Sequence, residues 1–421
     1  MSTLHVVGGA PLAGTIDVEG NKNAALPLIA ACLLTSEPCV LDNVPRIRDV
    51  DVLLRILERL GARVDGHGEP CVQVTCGEVT SDEPDRVLVG RVRGSVLLMG
   101  PMLARRGRVV FAPPGGDFPT RRTINTHLLA LQAFGVRISE ADEGHVLEAP
   151  GGLHAASIYL DEASVTGTET AILAAAAAPG TSEIRHAACE PHVVELCRFL
   201  GEMGVGIEGA GTSTVRVHGL ARPRGARHRL DGDYIEAGSW AVVGAVTKST
   251  LTVRGARPAD LEPIVSVLQR MRVECRLDDA GLTVLPSSPV AIRRITTGLW
   301  PGFPSDLVSL ITVLATQAAG RTLIHDWMYE LRLFALEQMS GMNADLFLCD
   351  PHRIVVTGPR TLRGRVLDSR DIRSGMSLIA AALAADGESR ILSVEIVERG
   401  YARLVERLRS LGATVERVGG E

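Results

Sequence analysis

Residues 15–41, TIDVEGNKNAALPLIAACLLTSEPCVL, contain the pattern that decides the fold. A short strand is followed by a polar turn, then by a helix built from Ala, Leu and Ile, and then by a second strand. The helix has no polar face, and such a helix is normally buried. The stretch therefore predicts a unit in which one helix lies inside the protein against a small sheet.

The same pattern recurs along the chain, and an amphipathic helix follows each copy. The further copies begin and end at 86–111, 157–184, 228–253, 297–324 and 365–391. The second helices end at Gly61, Gly135, Gly204 and Gly412, where Gly favours the left-handed conformation that stops a helix. Arg272 and Asn343 stand at the equivalent positions of the other two copies; Asn tolerates this conformation and Arg does so less well.

Six copies divide naturally into two groups of three. The stretch 221–233 is rich in Pro, Gly and Arg and predicts one crossing between domains, and a second crossing is expected near Gly20. We therefore expect a discontinuous domain of residues 1–20 and 232–421, and an inserted domain of residues 21–231.

Composition excludes several classes of protein. The chain has 421 residues, 46% of them hydrophobic and 3% aromatic, and a net charge of −5, which argues against a nucleic-acid partner. Its eight cysteines show no CxxC pair and no zinc spacing, so we expect no metal and reduced thiols in a cytoplasmic protein. The apolar runs are too short for a membrane span, and no membrane partner is expected.

Residues 113–127, PPGGDFPTRRTINTH, are the candidate chemical loop. Asp117 lies at its centre, and Arg121 and Arg122 follow. An acid beside cations suits a site that binds phosphate and moves a proton. A surface turn with solvated charges fits these residues equally well, and His127 fits either a base or a structural hydrogen-bond partner.

Charged residues also stand at equivalent polar turns of the copies. They are Lys22, Arg93, Asp306, Arg332, Arg373 and Arg399. Each alone has a simple structural explanation, such as a solvated cation or an acid at a helix start. Pseudo-symmetry would gather them around one cleft that binds a small, multiply charged anion. The GxGxxG match at 204–209 follows a helix rather than a strand, which is the wrong context for dinucleotide binding.

Together, these motifs resemble the enolpyruvyl transferase family over essentially the whole chain. The motifs are GNKNAALP, RGSV, PPGGD, SVTGTE, EPH, PGFPSD, ELR, DIR and RGY, in the family's order. The resemblance implies an α/β fold, a two-domain inside-out α/β barrel with six βαβαββ units and pseudo-threefold symmetry in each domain. It also implies addition and elimination, without cofactor or metal, that moves the enolpyruvyl group of phosphoenolpyruvate to a hydroxyl of a uridine nucleotide, most closely UDP-N-acetylglucosamine, as in peptidoglycan precursor synthesis.

The resemblance assigns roles residue by residue. Asp117 is expected to be the proton donor, Asp306 the base and Lys22 a further catalytic residue. Phosphoenolpyruvate is expected to contact Lys22, Asn23, Arg122, Arg332, Arg373 and Arg399. The nucleotide sugar is expected to contact Asn23, Arg93, Arg122, Thr123, Ile124, Asn125, Thr126, Ser164, Val165, Asp306 and Met328.

Departures from the family pattern leave the acceptor open. Asn125 replaces an Asp, Glu162 stands where some members have Lys, Leu331 replaces Asn or Ser, and 118–120 is bulkier than usual. Alternatives are therefore transfer to UMP or another nucleotide in nucleoside-antibiotic synthesis, and a non-catalytic, nucleotide-binding regulatory paralogue. Transfer to shikimate 3-phosphate fits the motifs less well. Many members have a Cys where Asp117 stands, and fosfomycin alkylates that thiol, so fosfomycin resistance is also expected.

Overall fold

A computed structural model describes residues 2–115, 123–330 and 332–419. Within these residues the chain divides into two compact units. Unit 1 contains 2–19 and 232–419, and unit 2 contains 20–115 and 123–231.

The elements follow the order that the repeat predicts except in the second and fifth copies. Unit 1 begins with β1 (Thr3–Val7) and β2 (Ala13–Asp17). The strands of unit 2 are β3 (Cys39–Asp42), β4 (Arg63–Asp65), β5 (Cys71–Thr75), β6 (Arg108–Phe111), β7 (Arg137–Glu140), β8 (His145–Glu148), β9 (Ser157–Tyr159), β10 (Gly180–Arg185), β11 (Gly206–Glu208), β12 (Thr214–Gly219) and β13 (Arg227–Arg229). Its helices are α1 (Lys22–Ala31), α2 (Arg48–Arg59), α3 (Arg86–Val89), α4 (Met99–Arg106), α5 (Asn125–Ala133), α6 (Val165–Ala176) and α7 (Pro191–Glu202).

Unit 1 continues after the second crossing. Its strands are β14 (Thr250–Arg254), β15 (Cys275–Asp278), β16 (Gly281–Val284), β17 (Arg294–Thr296), β18 (Gly320–His325), β19 (Asp345–Asp350), β20 (Arg353–Gly358), β21 (Val366–Asp368), β22 (Glu388–Leu392) and β23 (Thr414–Val418). Its helices are α8 (Tyr234–Val246), α9 (Pro258–Arg270), α10 (Val308–Gln317), α11 (Ile372–Ala384) and α12 (Leu404–Ser410). Short 3-10 helices cover Cys32–Leu34, Arg93–Leu98, Ser305–Leu307, Phe334–Met342 and Val394–Arg399.

Each unit has helices inside and small sheets outside. In unit 1, α8, α10 and α11 contact one another and are buried over almost every residue, as their apolar sequences predict. The three surrounding sheets have the orders β21-β22-β1-β23, β15-β16-β14-β2 and β17-β18-β20-β19. Each contains one parallel pair at an edge and two antiparallel pairs, which is the arrangement that a βαβαββ unit produces.

Unit 2 departs from the repeat in its second copy. Two of its sheets have the same plan, with the orders β11-β12-β10-β9 and β13-β3-β5-β4. The third, β6-β8-β7, has three strands. The expected strand at 86–89 was wrong, because Asp85 accepts a hydrogen bond from the Leu88 amide and starts the short helix α3 there.

The ends of the second helices agree with the repeat at every copy. The residues Gly61, Gly135, Gly204, Arg272, Asn343 and Gly412 all have positive φ, including +58° at Arg272 and +73° at Asn343. In the fifth copy the expected amphipathic helix is instead the 3-10 helix Phe334–Met342. The left-handed backbone conformation that ends the second helices is thus kept at Arg272, although its side chain disfavours that conformation.

The two crossings exchange strands between copies. Strand β2, in the first copy of the sequence pattern, pairs in parallel with β14 of unit 1, and β13 pairs in parallel with β3 of unit 2. A Cβ atom at Gly20 would overlap the Asn43 carbonyl, and one at Gly232 would overlap that of Gly255. Glycine is therefore required on both connections by close backbone approach.

Candidate active site

Unit 1 brings Asp306, Arg332 and Arg373 together. Asp306 lies in the 3-10 turn that leads into α10, and both of its carboxylate oxygens accept hydrogen bonds from arginine side chains. Arg332 Nη1 donates to Oδ1 at 3.2 Å, and Arg373 Nη2 donates to Oδ2 at 3.1 Å. The Arg373 side chain is 9% exposed and that of Arg332 15%, so both cations are largely removed from water. Such charge-assisted pairs fix the guanidinium groups in one geometry.

Arg373 is held from both sides of its guanidinium. Its Nη1 donates to the Tyr401 hydroxyl at 3.2 Å. Tyr401 in turn lies 2.8 Å from the Ser239 hydroxyl, which donates to the Ile235 carbonyl at 2.7 Å. Asp371 caps α11 by accepting from the Arg373 amide at 2.9 Å, which fixes the backbone beneath the side chain.

The surrounding charges keep both arginines cationic. Burial alone would lower the pKa of Arg373, but the charge of Asp306, supported by Tyr401 and Asp233, raises that pKa above its ordinary value. Burial opposes the shift in the same way at Arg332, where Asp306 and then Asp326 raise the pKa. Burial also raises the pKa of Tyr401, so its hydroxyl keeps its proton. The cluster can therefore present two fixed positive groups to an anion.

In unit 2, Lys22 forms a buried ion pair. It is the first residue of α1, where the helix dipole disfavours a cation. Its ammonium nitrogen lies 2.8 Å from Oδ2 of Asp49, a buried residue in the first turn of α2. A protein carboxylate thus balances the Lys22 charge within this unit, and the side chain is not the solvated cation of the simpler explanation.

Hydrogen bonds hold the backbone of the candidate chemical loop at Gly115 and at Thr123. Arg93 Nη2 donates to the Thr123 carbonyl at 2.6 Å. The Gly115 amide donates to the Val89 carbonyl at 3.2 Å, and a Cβ there would overlap the backbone of Gly90. Both ends of the loop are therefore held against the segment that contains α3.

Three of the expected nucleotide residues, Thr126, Ser164 and Val165, lie at the start of α6. Ser164 caps this helix by accepting from the Gly167 amide at 3.2 Å. The Thr126 hydroxyl donates to Asp161 at 2.8 Å, and His127 Nε2 lies 2.9 Å from the Thr166 hydroxyl. Because a helix start offers free amides and a positive dipole, this region suits a phosphate group.

The other expected residues are placed as follows. Asn23 is the second residue of α1, Asn125 begins α5 after the half-buried Ile124, and Val165 begins α6. Met328 is half-buried after β18, and Arg399 is half-buried at the end of the 3-10 helix Val394–Arg399. Asp117 and Arg122 lie outside the described residues.

Several partners of the site were missed from the sequence. Asp49 is one of two acids in the first turn of α2, and the repeat gave no reason to prefer it. Tyr401 was noted only as part of the RGY motif. Asp326, which follows β18, accepts hydrogen bonds from Thr297 and Ser305, and no local pattern distinguishes it. The position of Asp326 directly after a strand was its only signal in the sequence, and many surface acids share that position.

Across 2–115, 123–330 and 332–419, no group of three or more His, Cys, Asp or Glu side chains could hold a metal ion. Nor does any helix in these ranges have the length and apolar character that crossing a bilayer requires. All eight cysteines are free thiols.

Comparisons with known proteins show the family to which the chain belongs. Residues 6–408 match the family model for EPSP synthase (3-phosphoshikimate 1-carboxyvinyltransferase). The chain belongs to this family of enolpyruvyl transferases. The UDP-N-acetylglucosamine 1-carboxyvinyltransferase of Treponema denticola is 42% identical over 98% of both chains. The protein of the same name from Bradyrhizobium diazoefficiens is 41% identical over 98% of this chain and 97% of its own.

Solved structures confirm the fold of this enolpyruvyl transferase. The enolpyruvyl transferase NikO from Streptomyces tendae has a TM-score of 0.90 at 26% identity, with both chains fully covered. EPSP synthase from Acinetobacter baumannii has a TM-score of 0.76 at 17% identity, again over the whole of both chains. The two-domain inside-out α/β barrel expected from the sequence is therefore confirmed.

Proposed function

We propose that this enzyme transfers the enolpyruvyl group of phosphoenolpyruvate to a sugar hydroxyl of UDP-N-acetylglucosamine, with release of phosphate, in cytoplasmic peptidoglycan precursor synthesis. Full-length relatives that carry this activity in their names, at 42% and 41% identity, support the choice of acceptor. The main structural support for this chemistry is that both carboxylate oxygens of Asp306 accept hydrogen bonds from the buried guanidinium groups of Arg332 and Arg373.

The donor site uses this pair of arginines. Arg332 and Arg373 bind the carboxylate of phosphoenolpyruvate, because two planar guanidinium groups can donate to both of its oxygens. The phosphate is assigned to Lys22, Arg122 and Arg399. Cations fixed before the substrate arrives stabilise the charge that develops on the departing phosphate without reorganisation.

The reaction has two balanced stages. Asp117 gives a proton to the methylene carbon of phosphoenolpyruvate, while the acceptor oxygen bonds to the neighbouring carbon and Asp306 takes the hydroxyl proton. This addition gives a tetrahedral ketal phosphate. In the second stage, the Asp117 carboxylate takes a proton back from the new methyl group while the carbon–oxygen bond to phosphate breaks and phosphate leaves, which restores the double bond.

The contacts of Asp306 link donor binding to the base. The donor carboxylate and the Asp306 carboxylate seek the same N–H groups of Arg332 and Arg373. Arrival of the donor therefore displaces Asp306 from at least one guanidinium, and a carboxylate that loses a cationic partner becomes a stronger base. The base is thus activated when the electrophile is present.

A panel of acceptors tests the proposal. Phosphate release from phosphoenolpyruvate is measured with UDP-N-acetylglucosamine, UMP or shikimate 3-phosphate. Release with UDP-N-acetylglucosamine at the highest kcat/KM is expected. Preference for UMP would instead support the nucleoside-antibiotic alternative, which the departure at Asn125 favours. No phosphate release with any of the three acceptors would support a non-catalytic, nucleotide-binding paralogue.

A further inference from the structure

Asp326 is a buried acid behind the arginine pair. It directly follows β18 in unit 1, and its side chain is 0% exposed. Oδ1 accepts from the Thr297 hydroxyl at 2.7 Å and from the Met328 amide at 3.4 Å. The Ser305 hydroxyl lies 2.9 Å from Oδ1 and 2.8 Å from Oδ2. Every one of these partners donates, which is what an ionised carboxylate needs in a buried place.

The direction of the hydrogen bonds at Ser305 is fixed by its neighbours. Arg332 Nη1 lies 2.8 Å from Ser305 Oγ and can only donate, since a guanidinium has no acceptor. Ser305 must therefore accept from Arg332 and give its single hydrogen to Asp326. The result is a chain from Arg332 through Ser305 to Asp326, beside the direct contact between Arg332 and Asp306.

We propose that Asp326 is a positioning residue of the donor site, which acts through Ser305 to hold Arg332 in the orientation that binds the carboxylate of phosphoenolpyruvate. This inference rests on the proposed function. When the donor displaces Asp306 from Arg332, the link to Ser305 and Asp326 remains and keeps the guanidinium in place. Without the carboxylate, Ser305 could turn its hydrogen elsewhere and would no longer offer Arg332 a fixed acceptor.

The same carboxylate also supports the loop that follows it. It accepts a hydrogen bond from the Met328 amide, which fixes the turn at residues 326–328. Trp327 Nε1 donates to the carbonyl of Thr297, directly after β17, at 2.8 Å and links this turn to β17. The backbone of Asp326 is held separately, because its amide donates to the His352 carbonyl at 2.8 Å and its carbonyl accepts from His352 Nδ1 at 2.8 Å. An Asp326→Asn change should therefore leave the strand end in place.

The kinetic test compares Asp326→Asn, Ser305→Ala and the double variant with wild type. Ser305→Ala loses the hydrogen bond to Arg332, and Asp326→Asn loses the charge that orients Ser305. We therefore expect KM for phosphoenolpyruvate to rise about tenfold or more. The kcat value and KM for the acceptor should change little. Because both residues act in one chain, the double variant should resemble Ser305→Ala rather than the product of the two effects. A general loss of folding would lower kcat and both affinities together.

Two variants control for the chemical changes themselves. Thr312→Val removes a buried hydroxyl of α10. This hydroxyl donates to the Val308 carbonyl of the same helix at 2.7 Å and does not contact the arginine pair through a hydrogen bond among the described residues. Asp345→Asn removes a carboxylate that pairs with Arg360 on the exposed face of β19. Both should keep wild-type KM for phosphoenolpyruvate.

A second measurement does not depend on turnover. Phenylglyoxal modifies accessible arginines, and peptide mass spectrometry gives the rate at Arg332. Asp326→Asn should speed modification of Arg332 and leave the rate at exposed Arg370 unchanged. Unchanged donor KM and unchanged labelling at Arg332, or independent effects of Asp326 and Ser305, would overturn the inference. If wild type released no phosphate with any acceptor, the proposed function would fail, and the labelling alone would decide the inference.

Discussion

Asp306 and Arg373 are joined by a 3.1 Å contact between Oδ2 and Nη2, although 67 positions separate them in the chain. Asp306 precedes α10 and Arg373 is the second residue of α11, and these two helices pack together inside unit 1. The repeat therefore builds the pair, because each copy places its polar turn at the start of a buried helix. The proposed base and a proposed donor-binding cation are consequently held in one core.

Asp306→Asn should lower kcat at least about a hundredfold, since an amide cannot accept the proton of the acceptor hydroxyl. KM for phosphoenolpyruvate should not rise, because the variant removes a charge that competes with the donor for Arg332 and Arg373. Steady-state phosphate release at saturating acceptor measures both quantities. Near-normal turnover would remove Asp306 from the role of base.

Arg373→Lys should lower kcat/KM for phosphoenolpyruvate at least about tenfold, because an ammonium cannot keep the planar, two-sided contacts to Asp306 and Tyr401. Arg370→Lys is the matched control, since Arg370 is exposed and pairs loosely with Asp368 at 3.5 Å. Thermal unfolding of both variants separates binding from stability. Equal kcat/KM in the two variants would contradict the assignment of Arg373.

The fold was predictable because its pattern is local and repeated six times. Apolar helices and left-handed stops are visible in short windows, and even Arg272 adopts the stop with φ of +58°. The missing strand at 86–89 was not predictable from hydrophobicity, because Val and Leu fit a strand and a short helix alike, and the cap from Asp85 decided between them.

The site was predictable only in part, because the partners of its charges are distant in sequence. Lys22 and Arg373 were found from their motifs, whereas Asp49 and Tyr401, which hold them, were not. A buried acid such as Asp326 looks like any surface acid until the packing is known. Chemistry that depends on a convergence of side chains therefore needs the three-dimensional structure.

Asp49→Asn should destabilise the protein by about 3 kcal/mol, because it leaves the Lys22 ammonium in a buried place without its carboxylate partner. The control is Asp51→Asn on the same helix, where the pair with Arg55 is exposed and should contribute less than about 1 kcal/mol. Urea unfolding monitored by circular dichroism gives both values. An Asp49 variant as stable as the Asp51 variant would show that the buried pair contributes little.

Wild-type enzyme should remain active after incubation with fosfomycin and carry no covalent adduct, because Asp117 offers a carboxylate where the drug needs a thiol. Asp117→Cys should introduce the reactive group and become sensitive, with the adduct mapped to that position by peptide mass spectrometry. Exposed Cys349 in the same sample is an internal control for general thiol reactivity. Stoichiometric inactivation of wild type with an adduct at Asp117 would contradict the expected resistance.

Glu169→Gln should make the protein progressively more stable than wild type as pH rises. Glu169 is buried on α6, and its Oε1 has no hydrogen-bond partner among the described residues. Burial, and then the charge of Glu190, raise the pKa of Glu169 well above its ordinary value of 4.5. Folded protein therefore keeps this proton at pH values where unfolded protein has lost it, and stability falls with rising pH between the two pKa values.

The amide in Glu169→Gln has no such proton to lose. The difference in free energy of unfolding between variant and wild type should therefore be small near pH 4.5 and grow toward neutral pH. Urea titrations across that range measure this difference. A difference that is constant with pH would mean that Glu169 titrates normally in the folded protein.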